Sequence, residues 1–174
     1  MAKKNLNDDY SMSQLIDEQA WRRLSWDFQW SEQLLEKYAD QVNWHEVSRN
    51  RKIRWTVSML EKFKDRIDWY EVSRNEDMLW TASMLEKFKD RIDWPVLSRN
   101  EGLNLSSELI DKFVERWDWS ELILRETSYE LFDEAFFKRY KEYIPASEFK
   151  DSCLWAVIVE KRKEQLANQI AAEA

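Results

Sequence analysis

One glycine, two prolines and one cysteine in 174 residues exclude more than any motif in the chain asserts. Tight hairpins and bulges draw on Gly, Asn-Gly and Pro, so their scarcity speaks against a β or loop-rich fold. Gly102 alone cannot build a glycine-rich phosphate loop. The lone Cys153 cannot close an internal disulfide and suits a reducing compartment; its apolar neighbours read as a buried small hydrophobe. His45 is the only histidine, without a second His or a Cys nearby, which makes it a poor metal ligand or general base. It is expected on the surface, in the first turn of a short helix. No apolar run is long enough to span a bilayer. Met1-Ala2-Lys3-Lys4-Asn5 leads into Leu6-Asn7-Asp8-Asp9 rather than an apolar stretch, so neither a signal peptide nor membrane attachment is expected. A cytoplasmic location is the simplest expectation.

What the chain has instead is eleven tryptophans and 35% charged residues, with Glu, Lys, Leu, Arg, Gln and Ala plentiful. These are helix formers. The formal charge of −7 speaks against nucleic acid as the partner, because phosphate-binding surfaces are basic. The acidity is uneven. Basic against acidic residues number 5 and 8 over residues 1–43, 14 and 15 over 44–118, and 8 and 11 over 119–174.

A strict internal repeat organises the middle of the chain. Residues 55–69 read WTVSMLEKFKDRIDW and residues 80–94 read WTASMLEKFKDRIDW, differing only at Val57 and Ala82. Trp44, Trp69, Trp94 and Trp119 recur every 25 residues. Ser48, Ser73 and Ser98 keep the same period, as do Asn50, Asn75 and Asn100, and Phe63, Phe88 and Phe113. An earlier worn copy keeps Leu24, Ser25, Trp30, Leu35 and Tyr38; a later one keeps Leu122, Ser128, Tyr140 and Ile144.

Each copy predicts two helices. Asn43, Asp68, Asp93 and Asp118 precede the ladder Trp and are placed to cap the first, short helix. Asp68 with Glu71, and Asp118 with Glu121, have capping-box spacing. Pro95 falls in a first turn, where its missing N–H is harmless. Asn50, Asn75 and Asn100 stand where the short helix ends, and the expectation is an Asn in the left-handed region that closes it. Ser31, Thr56, Thr81 and Ser106 are placed to cap the second, longer helix. Each follows a large apolar residue that can staple onto Leu35, Leu60, Leu85 or Ile110. Met59, Leu60, Phe63 and Ile67 make one apolar stripe, with Glu61, Lys62, Lys64, Asp65 and Arg66 on the solvated side. Two such helices cannot bury their own apolar faces, so neighbouring units must stack.

The expected fold is therefore all-α: a short right-handed α-solenoid of two-helix repeats of 25 residues, with N- and C-terminal capping helices. Its expected divisions are an N-terminal cap over 1–20, repeats over 21–43, 44–68, 69–93, 94–118 and 119–145, and a C-terminal capping helix over 146–174. Leu15 and Ile16 are expected to face the first unit. Phe149, Cys153, Leu154, Val157 and Ile158 are expected on the inner side of a closing helix over residues 147–172.

The consensus DW-x-x-(V/L)-S-x-N-x-x-x-x-W-(T/S), followed by L-x-K-F-x-D-x-(I/W)-DW, resembles tandem Trp-rich repeats of largely uncharacterised proteins of bacteria, their phages and large DNA viruses. The likeness covers residues 21–145, most closely 44–119. It implies an α-repeat scaffold and brings no catalytic residues with it.

No set of residues converges on a nucleophile, base or metal, so no enzyme activity and no cofactor are expected. Carboxylate pairs such as Glu61 and Asp65 are ordinary on a solvated helix face. The ladder tryptophans read as inter-repeat core rather than as a recognition strip, with Ser or Asn supplying the acceptor each buried indole needs. The polar feature that stands out is the Ser-Arg-Asn triplet at 48–50, 73–75 and 98–100. Stacked units would align Arg49, Arg74 and Arg99 in a row suited to carboxylates or phosphates. Solvated arginines at helix ends are the plain alternative. After the first triplet come Arg51, Lys52 and Arg54, where the next copies have Glu76-Asp77 and Glu101.

Substitution inside near-identical copies marks where specificity resides, and the candidate binding residues are Arg49, Asn50, Arg51, Lys52, Arg54, Arg74 and Arg99. The expected function is a non-catalytic protein-binding module. Two others stay open: a small phage- or mobile-element-encoded inhibitor or immunity-type protein that blocks one enzyme by occlusion, and a protein that self-assembles through its terminal repeats into a homo-oligomer.

Overall fold

A computed structural model describes residues 9–173, with their side chains from residue 12 onward. Residues 1–8, on which the leader reading and much of the N-terminal cap rest, lie outside the described residues. The described residues hold eleven α-helices and no strand. The fold is all-α. The chain forms two compact units, Met1–Leu79 and Trp80–Ala174, so the boundary falls inside the stretch 69–93.

The first unit contains α1 (Asp9–Asp27), α2 (Glu32–Lys37), α3 (Trp44–Ser48), α4 (Val57–Phe63) and α5 (Trp69–Arg74). The second contains α6 (Ala82–Phe88), α7 (Trp94–Arg99), α8 (Ser107–Lys112), α9 (Trp119–Leu122), α10 (Glu134–Tyr140), a 3-10 turn over Phe149–Asp151, and α11 (Cys153–Ala172). Helices of four to seven residues do not hold in water alone, because nucleation outweighs so few hydrogen bonds. Their ends must therefore be tied, and the sequence supplies the ties. Asn43, Asp68, Asp93 and Asp118 cap α3, α5, α7 and α9 through their side-chain oxygens, and Ser31, Thr56, Thr81 and Ser106 cap α2, α4, α6 and α8. All eight predicted caps are in place.

The periodic serine and asparagine knit copies together at fixed offsets. Ser48 Oγ donates to Trp44 O (2.7 Å) and accepts from the N–H of the next copy's cap, Asp68 (2.8 Å). Ser25 does the same for Asn43, and Ser98 accepts from Asp118. Asn50 is fully buried; its amide donates to Ser25 O and Phe28 O, both at 2.9 Å, and its Oδ1 accepts from Lys52 N. Asn75 donates to Asn50 O (3.2 Å), and its Oδ1 accepts from Asp77 N. The left-handed stop expected of these asparagines does not occur. Asn75 and Asn100 have φ of −69° and −66°, and no described residue has positive φ. Each helix closes on a bond from the Asn backbone N–H to the carbonyl three residues back, while the Asn50 and Asn75 side chains hold carbonyls one copy back.

The ladder tryptophans also depart from expectation in their partners. Trp44, Trp69, Trp94 and Trp119 donate their indole N–H to the carbonyls of Ala39, Lys64, Lys89 and Val114, five residues upstream, rather than to Ser or Asn. The rings of Trp44 and Trp94 lie on Phe63 and Phe113 of their own copies, at 4.9 and 5.3 Å between centroids. Each therefore joins the end of one copy to the apolar face of the next, with ring and N–H serving different neighbours.

The ends are looser than the pattern implied. Leu15 and Ile16 are exposed, because α1 runs unbroken to Asp27 and only its last turns, at Trp21 and Ser25, turn a side to the unit. The closing helix begins at Cys153 rather than 147: Ser152 caps it, and Phe149 sits in the preceding 3-10 turn. Leu154 is fully buried, whereas Val159, Leu166 and Ile170 face solvent. Among the described residues no helix is long and apolar enough to cross a membrane.

Tyr140 gives the second unit a built-in alkaline limit. Burial, together with the hydrogen bond its hydroxyl donates to Asp111 (2.8 Å), pushes its pKa up to about 12. An unfolded tyrosine ionises near pH 10, roughly, so the unfolded chain sheds this proton first as pH rises. Stability that is complete below about pH 10 is thus lost between about 10 and 12. Urea titrations across this range should show the wild-type chain losing about 2 kcal/mol more than Tyr140→Phe. Parallel losses in the two proteins would rule the tyrosine out as the cause.

Candidate functional site

The basic loop after α3 is built by its neighbours. Asn50 pins its start, and Ile53 (3% exposed) and Trp55 (6% exposed) are driven inward, while Arg51, Lys52 and Arg54 stay on the outer side. Three concavities open around this loop, all within the first unit. The first, about 450 Å³, is walled by Trp26, Arg49, Arg51, Lys52, Arg74 and Glu76. The second, about 500 Å³, lies among Arg51, Lys52, Arg54, Trp55, Asp77 and Leu79. The third, about 520 Å³, shares Lys52 and Arg54 with the second and adds Trp30, Glu32 and Met59.

Five of the seven predicted residues are thereby brought together: Arg49, Arg51, Lys52, Arg54 and Arg74. Asn50 is corrected: its side chain is wholly buried and spent on Ser25, Phe28 and Lys52, so it shapes the loop and offers nothing to a partner. Arg99 belongs to the second unit, where it stands 3.7 Å from Glu121.

Local carboxylates temper the arginines unequally. Arg49 lies 3.7 Å from Glu46, Arg74 4.0 Å from Glu71, and Arg51 3.0 Å from Glu76 and 3.5 Å from Asp77. The arginines are exposed, whereas Glu46 and Glu71 are buried; each carboxylate offsets part of the positive charge its arginine presents. Lys52 and Arg54 have no carboxylate partner among the described residues. They are the uncompensated cations of the site. His45 is exposed, as expected, and its Nδ1 lies 2.9 Å from Asp68.

One polar residue escaped the sequence reading. Arg125, in the second unit, occupies the position 25 residues after Asn100 and is 2% exposed. Its guanidinium donates to Asn100 O and, at 2.7 Å, to Leu103 O, and also to Ser128 Oγ and Thr127 Oγ1. The two carbonyls lie 25 and 22 residues back, the offsets at which Asn50 holds Ser25 and Phe28. Register alone would have found it, had the worn copy been aligned past Leu122. Burial pulls its pKa below the usual arginine range, while the nearby Glu101 carboxylate opposes that shift. Burial likewise raises the pKa of Glu101, but hydrogen bonds from Thr127 and Glu126 outweigh it and hold the group ionised to lower pH. Cys153 is half-buried in the second unit; burial, then the carboxylates of Glu126 and Glu101, raise its pKa, which disfavours the thiolate.

Among the described residues no group of three or more His, Cys, Asp and Glu is arranged to hold a metal ion. The chemistry on offer is ionic and apolar contact across a cationic, grooved loop. No protein-family model, curated protein or solved structure matches this chain.

Proposed function

We propose that the protein is a non-catalytic helical-repeat binding module, a short right-handed solenoid of two-helix copies with helical caps, acting on a protein partner in the cytoplasm. The observation that carries this reading is where near-identical copies diverge. Residues 55–69 and 80–94 differ at one position, yet the segments before them read Arg51-Lys52-Ile53-Arg54 and Glu76-Asp77-Met78-Leu79. The exposed loops change charge from copy to copy while caps and core repeat, and such loops on a rigid scaffold are where binding residues concentrate. The likeness to Trp-rich tandem repeats fits the same scaffold.

Replacing Arg49, Arg51 and Arg54 together by Glu tests it. The triple variant keeps its helical spectrum, because none of these side chains is buried, and loses at least about tenfold in affinity for a partner recovered by affinity purification from the native host. Unchanged affinity with an intact fold removes the loop from the interface.

Self-association is the second reading, favoured by apolar residues left in solvent on the terminal helices: Leu15 and Ile16 on α1, and Val159, Leu166 and Ile170 on α11. Light scattering that reports a monomer at every concentration disposes of it.

A further inference from the structure

We infer that the groove among Lys52, Arg54 and Leu79 takes an acidic, extended protein segment that carries one large apolar side chain. This rests on the binding-module reading and names the partner's chemistry. Three observations meet in that one concavity of about 500 Å³.

The first is charge. Arg51 is held by Glu76 and Asp77, whereas Lys52 and Arg54 project without a carboxylate among the described residues. Both cations line this groove, and a ligand with two anions would complement them. The second is Leu79, which at 78% exposure is the most solvated large hydrophobic residue among the described residues. Single exposed leucines are common and mean little alone. This one lines the same groove as the free cations and occupies the register position of Arg54, 25 residues on. The third is rigidity. Ile53 and Trp55 line the groove and are themselves buried, at 3% and 6% exposure, so this part of it is preformed and a ligand need not order it.

A carboxylate-bearing peptide fits this better than a nucleic acid does. Asp77 lies in the groove and Asp27, Glu71 and Glu76 in the one beside it, and a continuous run of phosphates would have to pass among them. A peptide places its charges discretely. Two acidic side chains can meet Lys52 and Arg54 while an apolar residue covers Leu79 and uncharged backbone passes Asp77.

The test is selection of a display library of random short peptides on the folded chain. The winning peptide is then synthesised and its affinity measured by fluorescence anisotropy. Winners should be rich in Asp and Glu around one Leu, Phe or Trp. Affinity should fall at least about tenfold in the Lys52→Glu/Arg54→Glu double variant and severalfold in Leu79→Ser, and stay unchanged in Lys138→Glu, an exposed cation of α10 outside the groove. Circular dichroism of each variant confirms folding. Winners without acidic residues, or indifferent to the double variant, overturn the groove assignment while leaving a binding module elsewhere on the surface intact. An absence of winners overturns the assignment too, and the host purification then decides the broader reading separately. A single-stranded oligonucleotide that binds more tightly than the peptide, with the same dependence on Lys52 and Arg54, overturns it in favour of nucleic acid.

Discussion

Replacing Arg125 by Met should lower the unfolding free energy of the second unit by about 3 kcal/mol, because the buried Leu103 carbonyl loses its donor and the Asn100 carbonyl keeps only the N–H of Leu103. Methionine fills much of the volume, so the loss reports hydrogen bonding more than a cavity. Replacing Arg125 by Asn should recover at least half of it. Asn50 serves carbonyls at the same offsets with one amide, and the backbone around Arg125 follows the same repeat. What asparagine cannot recover is the bonding to Ser128 and Thr127 and the volume of the longer side chain. Urea denaturation followed by far-ultraviolet circular dichroism gives the order wild type, Arg125→Asn, Arg125→Met. An asparagine variant no better than methionine would show that Arg125 acts by its charge beside Glu101 and not as the repeat's clamp.

The helical class, the eight caps and the buried faces of α4, α6 and α8 were legible because each rests on local spacing: a short polar residue, an apolar residue four positions later, and a period of 25. What escaped was non-local. An Asn at a helix end reads as a left-handed stop from its own sequence; only the carbonyl a whole copy away shows that the side chain is a clamp. The indole acceptors were misjudged for the same reason, since backbone carbonyls carry no sequence signature. Arg125 was missed because alignment by residue type breaks where Asn becomes Arg, although geometry preserves the bond. Divergence between copies is a sequence observable, and it picked the loop whose side chains line the grooves. It could not separate Asn50, turned inward, from Arg49 and Arg51 on either side of it.

The largest single effect is expected at Trp119. It is 6% exposed, stacks on Tyr143 at 5.4 Å, meets Tyr140 at 5.1 Å and Phe136 at 6.4 Å, and donates its N–H to Val114 O at 3.1 Å. Trp119→Ala removes all four contacts at the first residue of a four-residue helix, and should lower stability by about 3–5 kcal/mol. Trp55 is equally buried, but its indole N–H is sequestered with no acceptor among the described residues, as is that of Trp80 in the same register. A buried unpaired donor is a liability of about 1–3 kcal/mol. Trp55→Phe deletes that donor and keeps an aromatic ring against the core, so the smaller buried area and the relieved N–H oppose each other. The net change should stay within about 1 kcal/mol, while Trp119→Phe, which breaks a satisfied bond, costs about 2. Urea midpoints of the two phenylalanine variants measured side by side decide the matter. Equal losses would mean that the Trp55 N–H finds a partner in solution, and that ring volume alone sets the stability of both positions.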